Sequence, residues 1–212
     1  MKALISLTTQ DNDYQRAQAA SVEAVAKRMG AQIEIIYADN DPVLQSQQIL
    51  SAIQKKGASF EVVITEPVGT AMAQVAEAAT KGGIAWGVLN RDIDYASRLH
   101  AAHGVPVFEV GVEQEAVGHI QAAQLAKLVP GGGTVLYIEG PAAGSAAKLR
   151  TQGTMAKKPA NIDLKILKGN WTEESGHKVV ASWLKLSTSK SAGFVAVVAQ
   201  DDAMVMGARK AF

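Results

Sequence analysis

Polar and aromatic side chains follow most of the short apolar runs in this sequence, and their chemistry suits a ligand rich in hydroxyl groups. Guanidinium donors, carboxylates and side-chain amides can together satisfy hydroxyls, while Tyr14 and Trp171 offer flat apolar faces for C–H groups. Ordinary solvated loop residues are the alternative at each position, because loops of α/β proteins are polar. The runs are Thr8–Gln15, Asp39-Asn40, Thr65–Pro67, Asn90–Asp92, Glu139–Pro141, Gly169–Trp171 and Gln200–Asp202, with Arg150 inside a predicted helix.

The elements that must position these residues alternate along the chain. Each β-branched apolar run is followed by a longer stretch with helical spacing, and strands recur about every 30 residues, the size of a βαβ unit. This pattern predicts parallel sheets covered on both faces by helices, with ligands at the carboxyl ends of the strands. Predicted strands are 3–8, 32–38, 60–65, 84–89, 105–110, 133–139, 163–168 and 194–199; predicted helices are 14–29, 43–56, 70–81, 113–128, 144–156, 172–187 and 202–212.

The alternation is interrupted once. Residues 90–104 are polar and too irregular to predict a helix, and they separate two sets of about four βα units each. We therefore predict an α/β protein of two Rossmann-like lobes with parallel sheets, spanning about 1–104 and 105–212.

Composition and motif content exclude several classes of function. The 21 Lys and Arg residues are balanced by 20 Asp and Glu, so no charge excess favours nucleic acid or an anionic membrane surface. The sequence has no cysteine and no grouping typical of a metal site, a nucleophile with its base or a cofactor loop. No apolar run approaches the roughly 18 residues of a membrane span. We therefore predict no catalytic residues, no cofactor, no bound metal and no direct membrane insertion.

Five stretches, taken in order, carry a resemblance that spans the whole chain. They are Leu7–Gln15, Val63–Pro67, Val88–Arg91, Glu139–Gly153 and Val198–Met204 with Gly207-Ala208. Together they resemble the type I periplasmic sugar-binding proteins related to ribose-binding protein, whose fold also forms the core of regulators of the lactose-repressor type. The resemblance implies two lobes that close on a sugar and deliver it to the permease of an ABC transporter. It also implies a periplasmic location, with no signal peptide visible in this chain.

The resemblance implies a set of ligand-binding residues as well. Arg91 and Arg150 are expected to hold the ligand from opposite lobes by forked hydrogen bonds, and Trp171 is expected to stack on it, with a place in the core as the alternative for this residue. Departures from the usual family pattern at Gln15, Asn90 and Asp201 leave the identity of the sugar open. The implied residues are Asp11, Asn12, Tyr14, Gln15, Glu66, Asn90 and Arg91 in the first lobe, and Arg150, Trp171 and Asp201 in the second.

Family members continue past the helix predicted at 202–212, so we expect this chain to be a fragment whose second lobe is incomplete, with an abbreviated family member as the alternative. The leading hypothesis is a non-enzymatic receptor for a monosaccharide or similar polyol. One alternative is a cytoplasmic sugar-sensing regulator or signalling core that does not transport. An α/β enzyme ranks third, because the sequence contains no recognisable catalytic grouping.

Overall fold

Strands and helices alternate through the computed structural model, which describes residues 1–57, 59–142, 144–186 and 193–212. Every predicted strand and helix is present, with bounds within three residues of prediction, except that residue 187, the end of one predicted helix, lies outside the described residues. The elements are β1 Lys2–Leu7, α1 Asp13–Met29, β2 Gln32–Tyr37, α2 Pro42–Gln54, β3 Val62–Thr65, α3 Ala73–Lys81, β4 Ala85–Leu89, α4 Ala96–His103, β5 Val107–Val110, α5 Gln114–Leu128, β6 Gly133–Glu139, α6 Ser145–Lys157, β7 Ile162–Lys168, α7 Glu173–Lys185, β8 Ala196–Ala199 and α8 Asp202–Arg209.

The strands form two sheets, and all the strand pairs described are parallel. The first sheet has the order β2-β1-β3-β4-β5, and the second has the order β7-β6-β8 among the described residues. The chain divides into two compact units, Met1–Gly111 and Val112–Phe212, each built on one sheet. The prediction of an α/β fold with parallel sheets in two sets is confirmed.

The division lies later than the sequence predicted, because β5 belongs to the first sheet. Strand β5 pairs in parallel with β4, with Val88 opposite Glu109, so the segment assigned by sequence to the second lobe completes the first unit. Helix α4, Ala96–His103, is the crossover between these two strands, and it lies in the stretch that we expected to be irregular. Its only fully buried side chain is Leu99, and one apolar position gives no detectable periodicity.

Both faces of the first sheet are covered by helices. Alternate residues of β1 point to opposite sides: Leu4 packs with the cluster that contains Trp86 and Leu99, while Ile5 packs with Ala19 of α1. The second unit has two clusters of the same kind, one around Ile138, Val180 and Met204 and one around Leu125, Val135 and Ile162. No helix within the described residues is both long and apolar enough to cross a membrane.

Backbone crowding in the second unit explains several of its glycines. A Cβ on Gly118 of α5 would lie 2.2 Å from the Arg150 carbonyl of α6, and a Cβ on Gly207 of α8 would lie 1.8 Å from the Glu173 carbonyl of α7. The paired helices therefore touch through backbone at these points, which fixes the position of α6 and α8 relative to their neighbours.

Candidate functional site

A buried carboxylate joins the polar residues at the carboxyl edge of the first sheet. Glu66 follows β3, and its Oε2 accepts hydrogen bonds from Gln15 Nε2 at 2.9 Å and from Asn90 Nδ2 at 3.2 Å. Its Oε1 lies 3.6 Å from Arg91 Nη1, and the two side chains are only 7% and 10% exposed. We call the residues Tyr14, Gln15, Glu66, Asn90 and Arg91 the first cluster.

Arg91 and Asn90 sit on the turn that follows β4. Asn90 has a left-handed backbone with φ of 56°, which an asparagine tolerates better than most residues. Its side-chain amide donates to the Tyr14 hydroxyl at 2.5 Å, and its carbonyl accepts from Arg91 Nη1 at 2.8 Å. Arg91 Nε is buried and has no acceptor among the described residues. Burial lowers the pKa of the Arg91 guanidinium, while the charge of Glu66 acts in the opposite direction.

Gln15 is a buried member of the first cluster, with 2% of its surface exposed. Besides donating to Glu66, it accepts from the Thr8 backbone N–H at 3.0 Å, so it ties the end of β1 to the carboxylate after β3. The resemblance implies Gln15 as a ligand-binding residue, and that stays a prediction; in the structure its side chain links Thr8 to Glu66.

The other two residues predicted on the first loop have different settings. Asn12 is the N-cap of α1, and its side chain accepts from the Gln15 backbone N–H at 2.8 Å. Asp11 is exposed, and its backbone N–H donates to the Thr9 hydroxyl at 3.1 Å. Neither side chain has a hydrogen bond to Glu66 or Arg91 among those observed in the described residues.

The sequence missed a glutamine that holds the first cluster from below. Gln45 of α2 is fully buried, and its Nε2 donates to the Glu66 carbonyl at 2.9 Å and to the Ser6 hydroxyl at 3.1 Å. Its Oε1 accepts from the Val68 backbone N–H at 2.9 Å. A polar residue on the inner face of a predicted helix was the only available signal.

Arg150 and Trp171 lie together at the carboxyl edge of the second sheet. Arg150 Nε donates to Gln114 Oε1 at 2.8 Å, and Nη1 donates to the Gln200 carbonyl at 2.7 Å. The guanidinium carbon lies 5.6 Å from the centre of the Trp171 ring, within cation–π range. We call Arg150, Trp171 and Asp201 the second cluster.

Trp171 has an unusual backbone for its type. Its φ is 60°, a left-handed conformation that is strained for a bulky side chain and that is often found at functional sites. The indole lies where a Cβ on Gly140 would be, 2.1 Å from the nearest ring atom, and it also packs partly on the cluster around Ile138 and Met204. Gly140, in the run Glu139–Pro141 at the end of β6, makes room for this ring because it has no side chain.

Asp201 directly precedes α8, and its carboxylate accepts from the Met204 backbone N–H at 2.9 Å. Burial raises the pKa of the Asp201 carboxyl, while the Met204 N–H and the positive charge of Arg150 act in the opposite direction. The predicted ligand-binding residue is therefore also the N-cap of its helix.

Several polar residues of the second unit support this edge without having been predicted as site residues. Glu139, at the end of β6, accepts from the Thr151 hydroxyl at 2.8 Å and pairs with Lys168. Gln200 precedes Asp201 and is 3% exposed. The sequence showed Glu139 and Gln200 at strand ends, but nothing distinguished them from ordinary loop residues.

The side chains of the two clusters include arginine guanidinium groups, which donate hydrogen bonds in pairs, carboxylate and amide oxygens, which accept them, and aromatic rings. These are groups that bind uncharged hydroxyls. Among the described residues, no three His, Cys, Asp or Glu side chains are grouped so that they could hold a metal ion.

With this fold and these clusters in view, the chain can be assigned to a class. Residues 3–212 match the model of the periplasmic binding protein domain, and the chain belongs to that family. The resemblance inferred from the sequence is confirmed at this level.

Among individual proteins, the sequence identity to this chain is low. A curated protein of Rhizobium meliloti, whose name assigns it to rhizopine binding, is 28% identical over 217 residues; the match covers 97% of this chain and 65% of that protein. The chain thus spans slightly less than two thirds of that relative.

Solved structures share the fold at lower identity. The arabinose-binding component of an ABC transporter from Shewanella sp. ANA-3 has a TM-score of 0.85 and 20% identity, covering all of this chain and 68% of its own. The myo-inositol-binding protein of Caulobacter has a TM-score of 0.81 and 22% identity, covering all of this chain and 69% of its own.

Proposed function

We propose that this protein is a solute-binding receptor for a monosaccharide or similar polyol. The observation that carries the proposal is the buried Glu66–Arg91 pair at the carboxyl edge of the first sheet, with Arg91 Nε lacking an acceptor among the described residues. A buried donor without a partner is costly, and a ligand oxygen removes that cost.

The charges of the first cluster favour an uncharged ligand. Arg91 already faces the Glu66 carboxylate, so the pair has little net charge to attract an anion. A hydroxyl group can donate to Glu66 and accept from Arg91 at the same time, which an anionic oxygen cannot do. Ring C–H groups of a sugar can pack on the exposed face of Tyr14.

The second cluster supplies the same chemical groups in the second unit. Arg150 lies beside the Trp171 ring, and the Asp201 carboxylate is close enough to Arg150 for their charges to interact. We infer that Arg150, Trp171 and Asp201 also contact the sugar, together with Asp11, Asn12 and the first cluster. Closure of the two lobes on the ligand stays a prediction.

Family membership extends the proposal to the cellular role. The receptor is periplasmic; it delivers its sugar to the permease of an ABC transporter in the membrane and releases the sugar chemically unchanged. The family and the relatives described above favour this role over a sugar-sensing regulator core.

The proposal is tested by isothermal titration calorimetry of the 212-residue chain with L-arabinose, D-ribose and myo-inositol, the last as a cyclic polyol. We expect saturable binding of at least one of the three. NMR spectra of that sugar after prolonged incubation with the protein should show no new signals. A chain that binds none of them, or that converts the one it binds, contradicts a receptor function.

A further inference from the structure

The side chain of Gln200 connects three parts of the second unit. It is 3% exposed, and its Oε1 accepts from the Gly140 backbone N–H at 2.9 Å. Its Nε2 lies 2.9 Å from the Ala147 carbonyl, 2.9 Å from the Thr151 hydroxyl and 3.1 Å from the Tyr137 hydroxyl. One amide thereby joins strand β6, the loop after it and the first two turns of α6.

The main chain of the same residue reaches Arg150 directly. The Gln200 carbonyl accepts from Arg150 Nη1 at 2.7 Å, and the Gln200 N–H donates to the Ile138 carbonyl at 3.0 Å. Arg150 lies next to Thr151 in α6, so the side chain and the carbonyl of Gln200 hold the same turn of this helix from two sides.

The contacts also reach the other members of the second cluster. Gly140 lies under the Trp171 indole, and Asp201 follows Gln200 in the chain. A shift of Gln200 would therefore move both Gly140, which supports the Trp171 ring, and the Gln200 carbonyl, which accepts from the Arg150 guanidinium.

We propose that Gln200 is a positioning residue, which sets the geometry of Arg150 and Trp171 without itself contacting the ligand. This inference rests on the proposed function for its effect on sugar affinity, but the geometry can be tested without a sugar. A primary amide is required, because the position needs an acceptor for the Gly140 N–H and a donor for the Ala147 carbonyl.

The test compares Gln200→Met, which keeps the length and loses every side-chain hydrogen bond, with Gln200→Glu. Glutamate still accepts from the Gly140 N–H and from the two hydroxyls but cannot donate to the Ala147 carbonyl. The matched control is Leu125→Ala, a cavity in the core around Val135 and Ile162, which lowers stability without touching the second cluster.

We expect Gln200→Met to weaken binding of the best of L-arabinose, D-ribose and myo-inositol at least ten-fold at a temperature where it is fully folded. Gln200→Glu should fall between Gln200→Met and the parent, and Leu125→Ala should bind as the parent does despite its lower Tm. In an Arg150→Lys background, Gln200→Met should reduce sugar affinity by a smaller factor than in the parent chain, because its effect is exerted through Arg150. If Gln200→Met does not fold, Gln200→Glu gives the same test.

The readout without sugar is the Arg150 Nε–Hε resonance in ¹H–¹⁵N spectra, assigned by its loss in Arg150→Lys. We expect this resonance to shift in both Gln200 variants and to stay in place in Leu125→Ala. Unchanged resonance in both Gln200 variants, or affinity that falls only in proportion to Tm, overturns the positioning role. If no sugar binds but the resonance shifts, the proposed function fails and the positioning inference stands.

Discussion

At the scale of single residues, the burial of the Arg91–Glu66 pair limits which substitutions can test ligand binding without unfolding the protein. Both side chains are nearly buried, so removing either one leaves an uncompensated charge, which typically costs about 3–5 kcal/mol of stability. A substitution that keeps the charge separates binding from folding. Lysine does so, because it preserves the positive charge but has no planar fork of donors.

We predict that Arg91→Lys weakens sugar binding by about 1–3 kcal/mol, because a ligand oxygen loses a directed hydrogen bond. Calorimetry with the best of the three sugars measures the change. The control is Arg98→Lys, in which the arginine is 61% exposed and pairs with Glu77 on the surface. An Arg91→Lys variant that binds as tightly as Arg98→Lys would place Arg91 outside the binding machinery.

At this scale the resemblance seen in the sequence implied Gln15, Glu66, Asn90 and Arg91 as ligand-binding residues. The structure places their side chains in one group joined by hydrogen bonds and an ion pair, and binding of a ligand by them stays a prediction. Gln45 and Gln200 were not named as site residues, because the groups that they bind lie up to 63 residues away and no local pattern records such contacts.

At the scale of secondary-structure elements, helix starts coincide with the candidate site. Asn12 is the N-cap of α1 and Asp201 is the N-cap of α8, and each side chain accepts from a backbone N–H three residues later. Carboxylates at a helix start are normally favourable, because they face the positive end of the helix dipole. Asp201 departs from this rule, since burial raises the pKa of its carboxyl.

We predict that Asp201→Asn raises the Tm at pH 7. A carboxyl whose pKa is higher in the folded protein than in the unfolded chain lowers stability when ionised, and asparagine keeps the cap without the charge. The gain should disappear as the pH falls through the raised pKa, because the parent Asp201 is then protonated in the folded state.

Thermal unfolding at a series of pH values measures this difference. The matched control is Asp41→Asn, at the exposed cap of α2, where Asp41 accepts from the Val43 and Leu44 N–H groups. We expect Asp41→Asn to change the Tm little, since both residues are good caps. A Tm difference for Asp201→Asn that is the same at every pH would rule out the charge as its cause.

Element prediction was close where periodicity was strong. Each predicted strand has its β-branched run, and α2 starts one residue before its predicted bound, at Pro42, with Asp41 as its N-cap. Helix α4 was missed because Leu99 is its only fully buried side chain, and the predicted division of the chain was therefore placed before β5.

At the scale of the whole molecule, the charge balance bears on the kind of ligand. The net charge is +1, so the protein has no strong field with which to draw ions from a distance. The electrostatic field of the protein has little effect on the binding of an uncharged sugar. For a charged solute, salt would screen the electrostatic attraction to the protein.

We predict that the dissociation constant for the sugar changes less than two-fold between roughly 0.05 and 0.5 M NaCl, because the ligand carries no charge to be screened. Calorimetric titrations at both salt concentrations test this. Binding that weakens ten-fold or more in the higher salt would indicate a charged solute instead.

The setting of Trp171 gives the molecule a natural optical reporter. Trp86 is fully buried in the first unit, and Trp183 packs edge-on against Phe194 with ring centres 5.3 Å apart, so neither belongs to a cluster at the strand ends. The Trp171 ring lies beside the Arg150 guanidinium and packs against Gly140. We expect its emission to respond to the position of that cation, so that a Trp86→Phe, Trp183→Phe chain would be a label-free fluorescent sensor whose signal comes from one indole.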